Sequence, residues 1–340
     1  MSKVLVTGGM GFIGSHTVVE LIQSGYEPVI ADDLSNAELF ILDNIQAITG
    51  KRPPFYEMDV SDMRSLSHVF ETEKNITQVI HFAAFKAVGE SYHQPLKYFR
   101  NNLLSLINVL EVMQVFDCRR IVFSSSATVY GDPDQVPVQE TAAIKKALSA
   151  YGSTKQIGEE ILEKVVHAGG LNAIALRYFN PVGAHATGLL GELPKGVPNN
   201  LMPYITQVAA GIRDQLTVFG NDYNTPDGTC IRDYIHVVDL AKAHVAACNR
   251  LSALSIAASY ETFNIATGKG VSVKELIESF EVSNGVKVNY TIGARRMGDT
   301  PVLFADPTNA NRILQWQATL GIEDMVTSAW NWQKNINTQP

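Results

Sequence analysis

Thr7-Gly8-Gly9-Met10-Gly11-Phe12-Ile13-Gly14 sets glycines at two overlapping spacings, 9/11/14 and 8/11/14, directly after an apolar strand and at the start of a helical pattern. Either spacing suits a turn that holds a dinucleotide. Without side chains the backbone closes tightly, and a pyrophosphate can approach the free N–H groups and the positive dipole end of the helix. The same glycines suit an ordinary strand-to-helix turn, and an acidic residue further on separates the two readings. Asp32 supplies it at the end of the second strand, 18 residues beyond Gly14, where a carboxylate accepts from an adenosine ribose. Asp33 beside it would repel a 2′-phosphate, which favours NAD over NADP.

Tyr151 and Lys155 stand four residues apart in a segment with Ile157, Ile161, Leu162 and Val165 at helical spacing, so phenol and ammonium share one face of a helix. Spacing alone also fits surface decoration. Placement adds more: the pair follows a strand, Ile121-Val122-Phe123, whose carboxyl end carries Ser124-Ser125-Ser126, and ligands of open α/β sheets bind beyond strand carboxyl ends. A phenol titrates near 10, so a base working near neutrality needs its anion stabilised by about 3 units, or about 4 kcal/mol. Lys155 and an oxidised nicotinamide are two sources of that stabilisation. The serines serve equally well as strand-end caps.

Other polar residues divide less cleanly. His16 and His81 sit in or beside apolar segments and read as packed side chains, and no histidine pairs with Cys or carboxylate at ligand spacing, so no metal is expected. Asn101-Asn102 lie inside an apolar helix, either bridging backbone groups or reaching a ligand. Arg232 and Arg295-Arg296, with Asp299 close by, supply the cations that a diphosphate requires.

The elements that must position these groups follow from patterning. Val4–Val6, Pro28–Ala31, Gln78–Ala83, Arg120–Ser125 and Ala173–Arg177 read as strands. Between them Phe12–Ser24, Leu96–Phe116 and Tyr151–His167 read as helices. Repeated βα units imply an α/β fold with a mostly parallel sheet covered on both faces. After about Asn180 the chain turns Gly- and Pro-rich, which gives an expected division into 1–180 and a loop-rich 181–340. A strand at Tyr234-Ile235-His236 and a helix from Val238 mark a return to the first domain near 233–250.

With 46% hydrophobic and 18% charged residues in 340, the chain is composed as a globular protein with its own core, which excludes disorder and fibrous architecture. Apolar runs such as Val79–Phe85 fall short of the roughly 18 residues of a membrane span. Met1-Ser2-Lys3 leads straight into the first strand, so no secretory leader is expected. Cys118, Cys230 and Cys248 lack metal spacing and suit free thiols in a reducing cytoplasm. A net charge of −7 disfavours a nucleic-acid partner.

Taken together, the glycine turn, Ser124-Ser125-Ser126-Ala127-Thr128-Val129-Tyr130-Gly131, Tyr151-x-x-x-Lys155 and Arg177-Tyr178-Phe179-Asn180-Pro181-Val182-Gly183-Ala184-His185 resemble the extended short-chain dehydrogenase/reductase family. The resemblance runs from Lys3 to about Trp332 and takes in His81–Ser91, Pro198–Tyr204 and Gly228–His236. Within the family it is similar to the members that invert C4 of UDP-hexoses. It implies a Rossmann-type doubly wound parallel sheet with a smaller, loop-rich α/β substrate domain, and a tightly held NAD regenerated at each turnover. The implied reaction interconverts UDP-glucose and UDP-galactose: Tyr151 removes the 4-hydroxyl proton, Ser126 orients the 4-oxygen, and Lys155 bridges the nicotinamide ribose and holds the Tyr151 phenol in reach of ionisation.

The same resemblance implies the remaining contacts. Gly8, Gly11, Phe12, Ile13 and Gly14 line the cofactor phosphates, while Asp32, Asp33 and Asn36 take the adenosine ribose side. Asp59 and Val60 meet the adenine; Phe82, Ala83, Lys86, Asn101, Ser124 and Phe179 line the rest of the cofactor site with Tyr151 and Lys155. On the substrate side, Asn180, Asn200 and Leu201, then Thr217, Val218 and Phe219, then Arg232, Arg296 and Asp299 hold UDP. Lys86, Ser126, Thr128 and Tyr151 face the sugar, and anchoring through UDP leaves the hexose free to turn. Leu303 falls at the position that gates room beside C2, intermediate in size between the tyrosine that excludes N-acetylhexosamines and the small residues that admit them. Pairing of Leu96–Phe116 and Tyr151–His167 with a second copy implies a homodimer. Two other readings share the scaffold. A 4,6-dehydratase needs an Asp-Glu pair where this chain has Ala127-Thr128, and a non-catalytic NAD-binding protein would not need both Tyr151 and Lys155.

Overall fold

The computed structural model describes residues 2–254, 258–296 and 298–337. Its first half alternates strand and helix: β1 (Lys3–Thr7), α1 (Phe12–Gln23), β2 (Glu27–Asp32), α2 (Phe40–Thr49), β3 (Phe55–Glu57), α3 (Met63–Glu73) and β4 (Ile76–His81). Two helices, α4 (Val88–His93) and α5 (Pro95–Val115), then lead to β5 (Arg120–Ser126), α6 (Ala150–Ala168) and β6 (Asn172–Tyr178). The strands are all parallel. Their side chains sort by the two-residue period: Val4, Val6, Ile30, Ile80, Val122 and Ile174 join one core, whereas Leu5, Val29, Val79, Ile121 and Ala173 join the other. Strands buried on both faces must read as continuous apolar runs, which is why these segments are conspicuous in the sequence.

The chain continues with β7 (Asn180–Val182), α7 (Leu201–Ala209), β8 (Leu216–Phe219), β9 (Ile231–His236), α8 (Val237–Ala253) and β10 (Ser259–Ile265). It ends with β11 (Gly270–Ser272), α9 (Val273–Asn284), β12 (Tyr290–Gly293), β13 (Val302–Leu303), α10 (Thr308–Ile313) and α11 (Ile322–Asn337). Among the described residues the central sheet has seven strands in the order β10-β6-β5-β4-β1-β2-β3. From β1 the chain runs outward one way through β2 and β3, then returns to β4 and runs the other way. The strand order therefore reverses between β1 and β4, and their carboxyl ends bound the crevice where such sheets bind ligands.

Three sequence expectations need correction. The strand expected over Gln78–Ala83 is Ile76–His81, because Phe82 and Ala83 leave the sheet to meet the glycine turn, with the Phe82 N–H donating to the Thr7 carbonyl at 3.0 Å. The Tyr234–His236 strand does not join the central sheet; β9 pairs with β7, β11 and β13 in a smaller one. The return to the first unit also extends past 250: α8 packs on α1, and β10 pairs with β6 along all seven of its residues. A third core, with Ile205, Leu216, Tyr234, Phe280 and Val326, sits under the smaller sheet and helices α7, α9 and α11.

Candidate active site

At the switch point the glycines are required by geometry. Gly8 adopts φ +71° and donates to the Ala31 carbonyl at 2.8 Å; a Cβ there would lie 2.8 Å from the Ala83 nitrogen. At Gly14 a Cβ would strike the Gly8 carbonyl and sit 2.8 Å from the Gly9 Cα, so the helix can approach the turn only without one. Gly11 is different. It N-caps α1 in extended geometry with no capping side chain, and a Cβ would meet only the Gly8 carbonyl, at 3.4 Å. The helix thus presents uncapped N–H groups over an open cradle, which fits a pyrophosphate. Asp32 accepts from Met10 N at 2.9 Å and Leu34 N at 3.0 Å, bracing the turn while burial pushes its carboxyl above the usual range. Asp33, Asn36 and Asp59 are exposed around it, and Val60 is buried. These residues fit the dinucleotide that the glycine pattern implies.

Helix α6 begins on Ser149, which accepts from Gly152 N at 3.1 Å, and it lies unusually close to β5: a Cβ on Gly158 would be 2.7 Å from the Phe123 ring. That approach sets Tyr151 and Lys155 against the strand end. Lys155, buried, donates to the Ser124 carbonyl at 2.5 Å, and its Nζ lies 5.9 Å from the Tyr151 ring centroid. Burial pushes the Tyr151 hydroxyl up to about 12, and the Ser126 side chain beside it opposes that rise. Burial drives the Lys155 ammonium down to about 7, partly opposed by the charge of Glu159. Ser126 also accepts from Thr128 N at 3.2 Å and Thr128 Oγ1 at 3.0 Å, capping the short 3₁₀ turn Ala127–Tyr130. The capping that the sequence offered as one alternative is thus what its hydrogen bonds do here, and its place beside Tyr151 leaves the other open. Ser124 receives the Tyr178 hydroxyl, and Ser125 donates to Glu159.

Asn102 is a bridge: its amide holds Phe85 N at 2.9 Å, the Phe85 carbonyl at 3.0 Å and Thr154 at 3.0 Å, tying the loop after β4 to α6. Asn101 donates to it at 3.0 Å. On the other side of the crevice, Glu192 joins Lys86 (3.1 Å) to Asn200 (2.6 Å), the residue that begins α7 at Leu201. Asp299 lies between Arg296 (2.7 Å) and Arg232 (3.5 Å), and the Arg296 guanidinium sits 5.9 Å from the Phe219 ring centroid. Thr217 and Val218 precede Phe219 on β8; Leu303 stands in register with Arg232 and packs on the cluster holding Ala127 and Phe179. Asn180 is exposed at the start of β7.

Arg232, Arg296 and Asp299 lie together, whereas Arg295, which the sequence grouped with them, pairs with Asp222 at 2.8 Å. Glu192, Glu159 and Arg177 were missed, because each acquires meaning only from a partner distant in the chain. His16 and His81 are packed and neutral; burial takes both down to about 3. Among the described residues no group of three or more His, Cys, Asp or Glu is placed to hold a metal. A cavity of about 550 Å³ between α8 and Trp316 shares no residue with this constellation.

A family model described as GDP-mannose 4,6 dehydratase matches residues 5–329. A UDP-glucose 4-epimerase of Dictyostelium discoideum is 49% identical over 332 residues, covering 97% of this chain and 95% of that protein. Among solved structures, the UDP-glucose 4-epimerase of Stenotrophomonas maltophila, with bound NAD and formylated UDP-arabinopyranose, superposes with a TM-score of 0.95 at 47% identity, covering 99% of each chain. That of Bifidobacterium longum, in complex with NAD+ and UDP, gives 0.94 at 45% identity and 98% of each chain.

Proposed function

The chain belongs to the UDP-glucose 4-epimerase family of extended short-chain dehydrogenases/reductases, and on that premise we infer that it interconverts UDP-glucose and UDP-galactose with NAD as its cofactor. The observation that carries the chemistry is the placement of Tyr151 beside Ser126, with Lys155 bonded to the Ser124 carbonyl, at the end of β5. When bound, NAD supplies the acceptor and later the donor of the C4 hydride. Tyr151 takes the proton of the 4-hydroxyl as C4 is oxidised and returns it to the opposite alcohol. Ser126 donates to the 4-oxygen throughout, and the Lys155 ammonium lowers the energy of the phenolate. Ala127-Thr128 offers no acid and base for removing water across C5 and C6, so the site suits epimerisation and not dehydration.

Grip on the substrate falls to its nucleotide half. Arg232 and Arg296 face the diphosphate, Asp299 and Phe219 its nucleoside, and Thr217, Val218, Asn180, Asn200 and Leu201 complete the UDP side. The hexose, held mainly through this tether, turns over after oxidation and shows its other face to the hydride. The cofactor contacts divide in the same way: Gly8, Gly11, Phe12, Ile13 and Gly14 at the phosphates, Asp32, Asp33 and Asn36 at the ribose, Asp59 and Val60 at the adenine. Phe82, Ala83, Lys86, Asn101, Ser124 and Phe179 enclose the nicotinamide half. The first 180 residues, with α8 and β10, bind NAD, and the remaining segments bind the nucleotide sugar.

Two copies pair through α5 and α6. Leu96, Leu104, Ile107 and Val115 are exposed along α5, an apolar stripe that a second copy would cover. No helix among the described residues is long and apolar enough to cross a membrane, and Cys118, Cys230 and Cys248 are free and buried, which supports a cytoplasmic setting.

The test of the central reading is to incubate the purified protein with UDP-galactose, without added NAD, and follow UDP-glucose by chromatography. Equilibration supports the epimerase and its retained cofactor. A 4-keto-6-deoxy product, or no turnover even with NAD supplied, overturns it.

A further inference from the structure

Behind the Tyr151–Lys155 pair lies a second, fully enclosed charge pair that the reaction itself does not call for. Glu159 follows Lys155 by four residues, so the two share one face of α6. Its carboxylate is forked by Arg177 of β6, Nε to Oε1 at 2.9 Å and Nη2 to Oε2 at 2.6 Å, with both side chains buried. Ser125 donates to the same carboxylate, from between the residue that anchors Lys155 and the residue that meets Tyr151. Arg177 is fixed in turn by the Tyr130 hydroxyl (3.1 Å) and the Glu140 carbonyl (3.3 Å), and Tyr130 by Asn264 of β10 (2.6 Å).

An enclosed ion pair rarely improves stability over apolar packing of the same volume, so its retention here asks for another role. We propose that Glu159 is a positioning residue whose negative charge keeps Lys155 an ammonium ion beside Tyr151, and that Arg177 sets how much of that charge Lys155 receives. The inference rests on the reading of Tyr151 and Lys155 given above. Lys155 is enclosed by Phe123, the Tyr151 ring and the β5 end, and His81 of β4 faces it as a neutral ring. Around Glu159 stand Arg177 of β6, Tyr130 of the 3₁₀ turn, Tyr260 of β10, Glu163 of α6 and Glu140 of the loop beyond the turn. Arg177 is the sole cation of that set, and Glu159 is the carboxylate one turn from Lys155. Burial alone disfavours the ammonium, and Glu159 opposes it.

Two substitutions give opposite signs. Glu159→Gln removes the counter-charge and leaves Arg177 facing Lys155, so the amine loses its proton at lower pH, by about one unit. Arg177→Gln leaves the carboxylate unshared, and the amine holds its proton to higher pH by a similar amount. Both are read in the NAD-loaded protein in two ways: the titration of the Lys155 Nζ resonance with ¹⁵N-labelled lysine, assigned by its loss in Lys155→Met, and the alkaline limb of kcat with UDP-galactose. Opposite displacements of the resonance support the proposal. Displacement in one direction for both, or in neither, overturns it, since a merely structural pair would lower the amount of folded enzyme without a sign. Each variant carries its own sign, so either one that folds decides the matter. Ser125→Ala, which takes a donor from the carboxylate and leaves both charges, adds a third with an upward displacement. If the resonance moves as stated while kcat keeps its profile, the charge proposal stands and the role of Lys155 in the reaction fails.

Discussion

Replacing Lys155 by methionine removes the ammonium ion that faces Tyr151 while keeping most of the buried stem. Burial, opposed by Ser126, carries the phenol up to about 12, far above neutrality. The Lys155 Nζ lies 5.9 Å from the centre of the phenol ring, and unit charges at that separation interact by about 3 kcal/mol at an effective dielectric of about 20. That is about two pK units, so Lys155→Met is expected to lower kcat about 100-fold at pH 7. The loss has a signature. If the missing charge acts by making the phenolate scarcer, the acid limb of the variant's profile moves up by about two pH units relative to the parent's, so raising the pH restores part of the lost activity. The assay is conversion of UDP-galactose to UDP-glucose from pH 6.5 to 9.5, with retained NAD measured by absorbance after denaturation so that cofactor loss is not mistaken for chemistry. A loss under threefold, or a large loss independent of pH with NAD retained, refutes the electrostatic role of Lys155.

Gly14→Ala should abolish NAD retention, because the added methyl meets the Gly8 carbonyl and Gly9 Cα; a variant purified with stoichiometric cofactor shows that the turn can open. Leu303→Cys should raise kcat/KM for UDP-N-acetylgalactosamine relative to UDP-galactose by about tenfold, as expected when a methylene or two leaves a sugar pocket, and an unchanged ratio removes Leu303 from the C2 wall. His81 and His244 are buried and neutral, held down to about 3 and about 4 by desolvation, so their folded values lie below the unfolded 6.5. The unfolded chain then binds more protons between pH 6.5 and 4, and stability present above 6.5 is lost as pH falls through that window, by about 1.4 kcal/mol per histidine at pH 5.5. Urea midpoints should fall steeply from pH 7 to 5.5 and less so in His244→Phe; a flat dependence contradicts the burial of neutral rings. Ile107→Glu on the apolar stripe of α5 should convert the proposed dimer to monomer in sedimentation velocity, and a wild-type chain that sediments as a monomer removes the pairing.

What the sequence makes legible is what local pattern controls. β1, β2, β5 and β6 are buried on both faces and announce themselves as apolar runs, and the glycine turn and the Tyr151–Lys155 pair keep their meaning within a few residues of chain. β10 hides because its first four residues, Ser259-Tyr260-Glu261-Thr262, are only half-buried at the sheet edge and read as neither buried strand nor helix. β9 is legible as a strand, but nothing in Tyr234-Ile235-His236 says which sheet it joins; that is settled by pairing with β7, β11 and β13. Asn101-Asn102 could not be resolved from spacing, since the bridge made by Asn102 runs to Thr154, 52 residues on.

The electrostatics of the site were legible in kind and not in degree. From the sequence, an ammonium one turn from a phenol suffices to favour the phenolate. In the folded chain both groups leave water, and burial drives each toward its neutral form, the phenol up and the amine down. A dry site therefore opposes each charge separately, while phenolate and ammonium together form a neutral pair whose mutual attraction grows as the dielectric falls. The useful protonation state is one that the pair adopts jointly, and a carboxylate nearby can bias it. Glu159, one turn from Lys155, is placed to supply that bias, and its partner Arg177 lies 18 residues on, a distance over which sequence pattern carries no information.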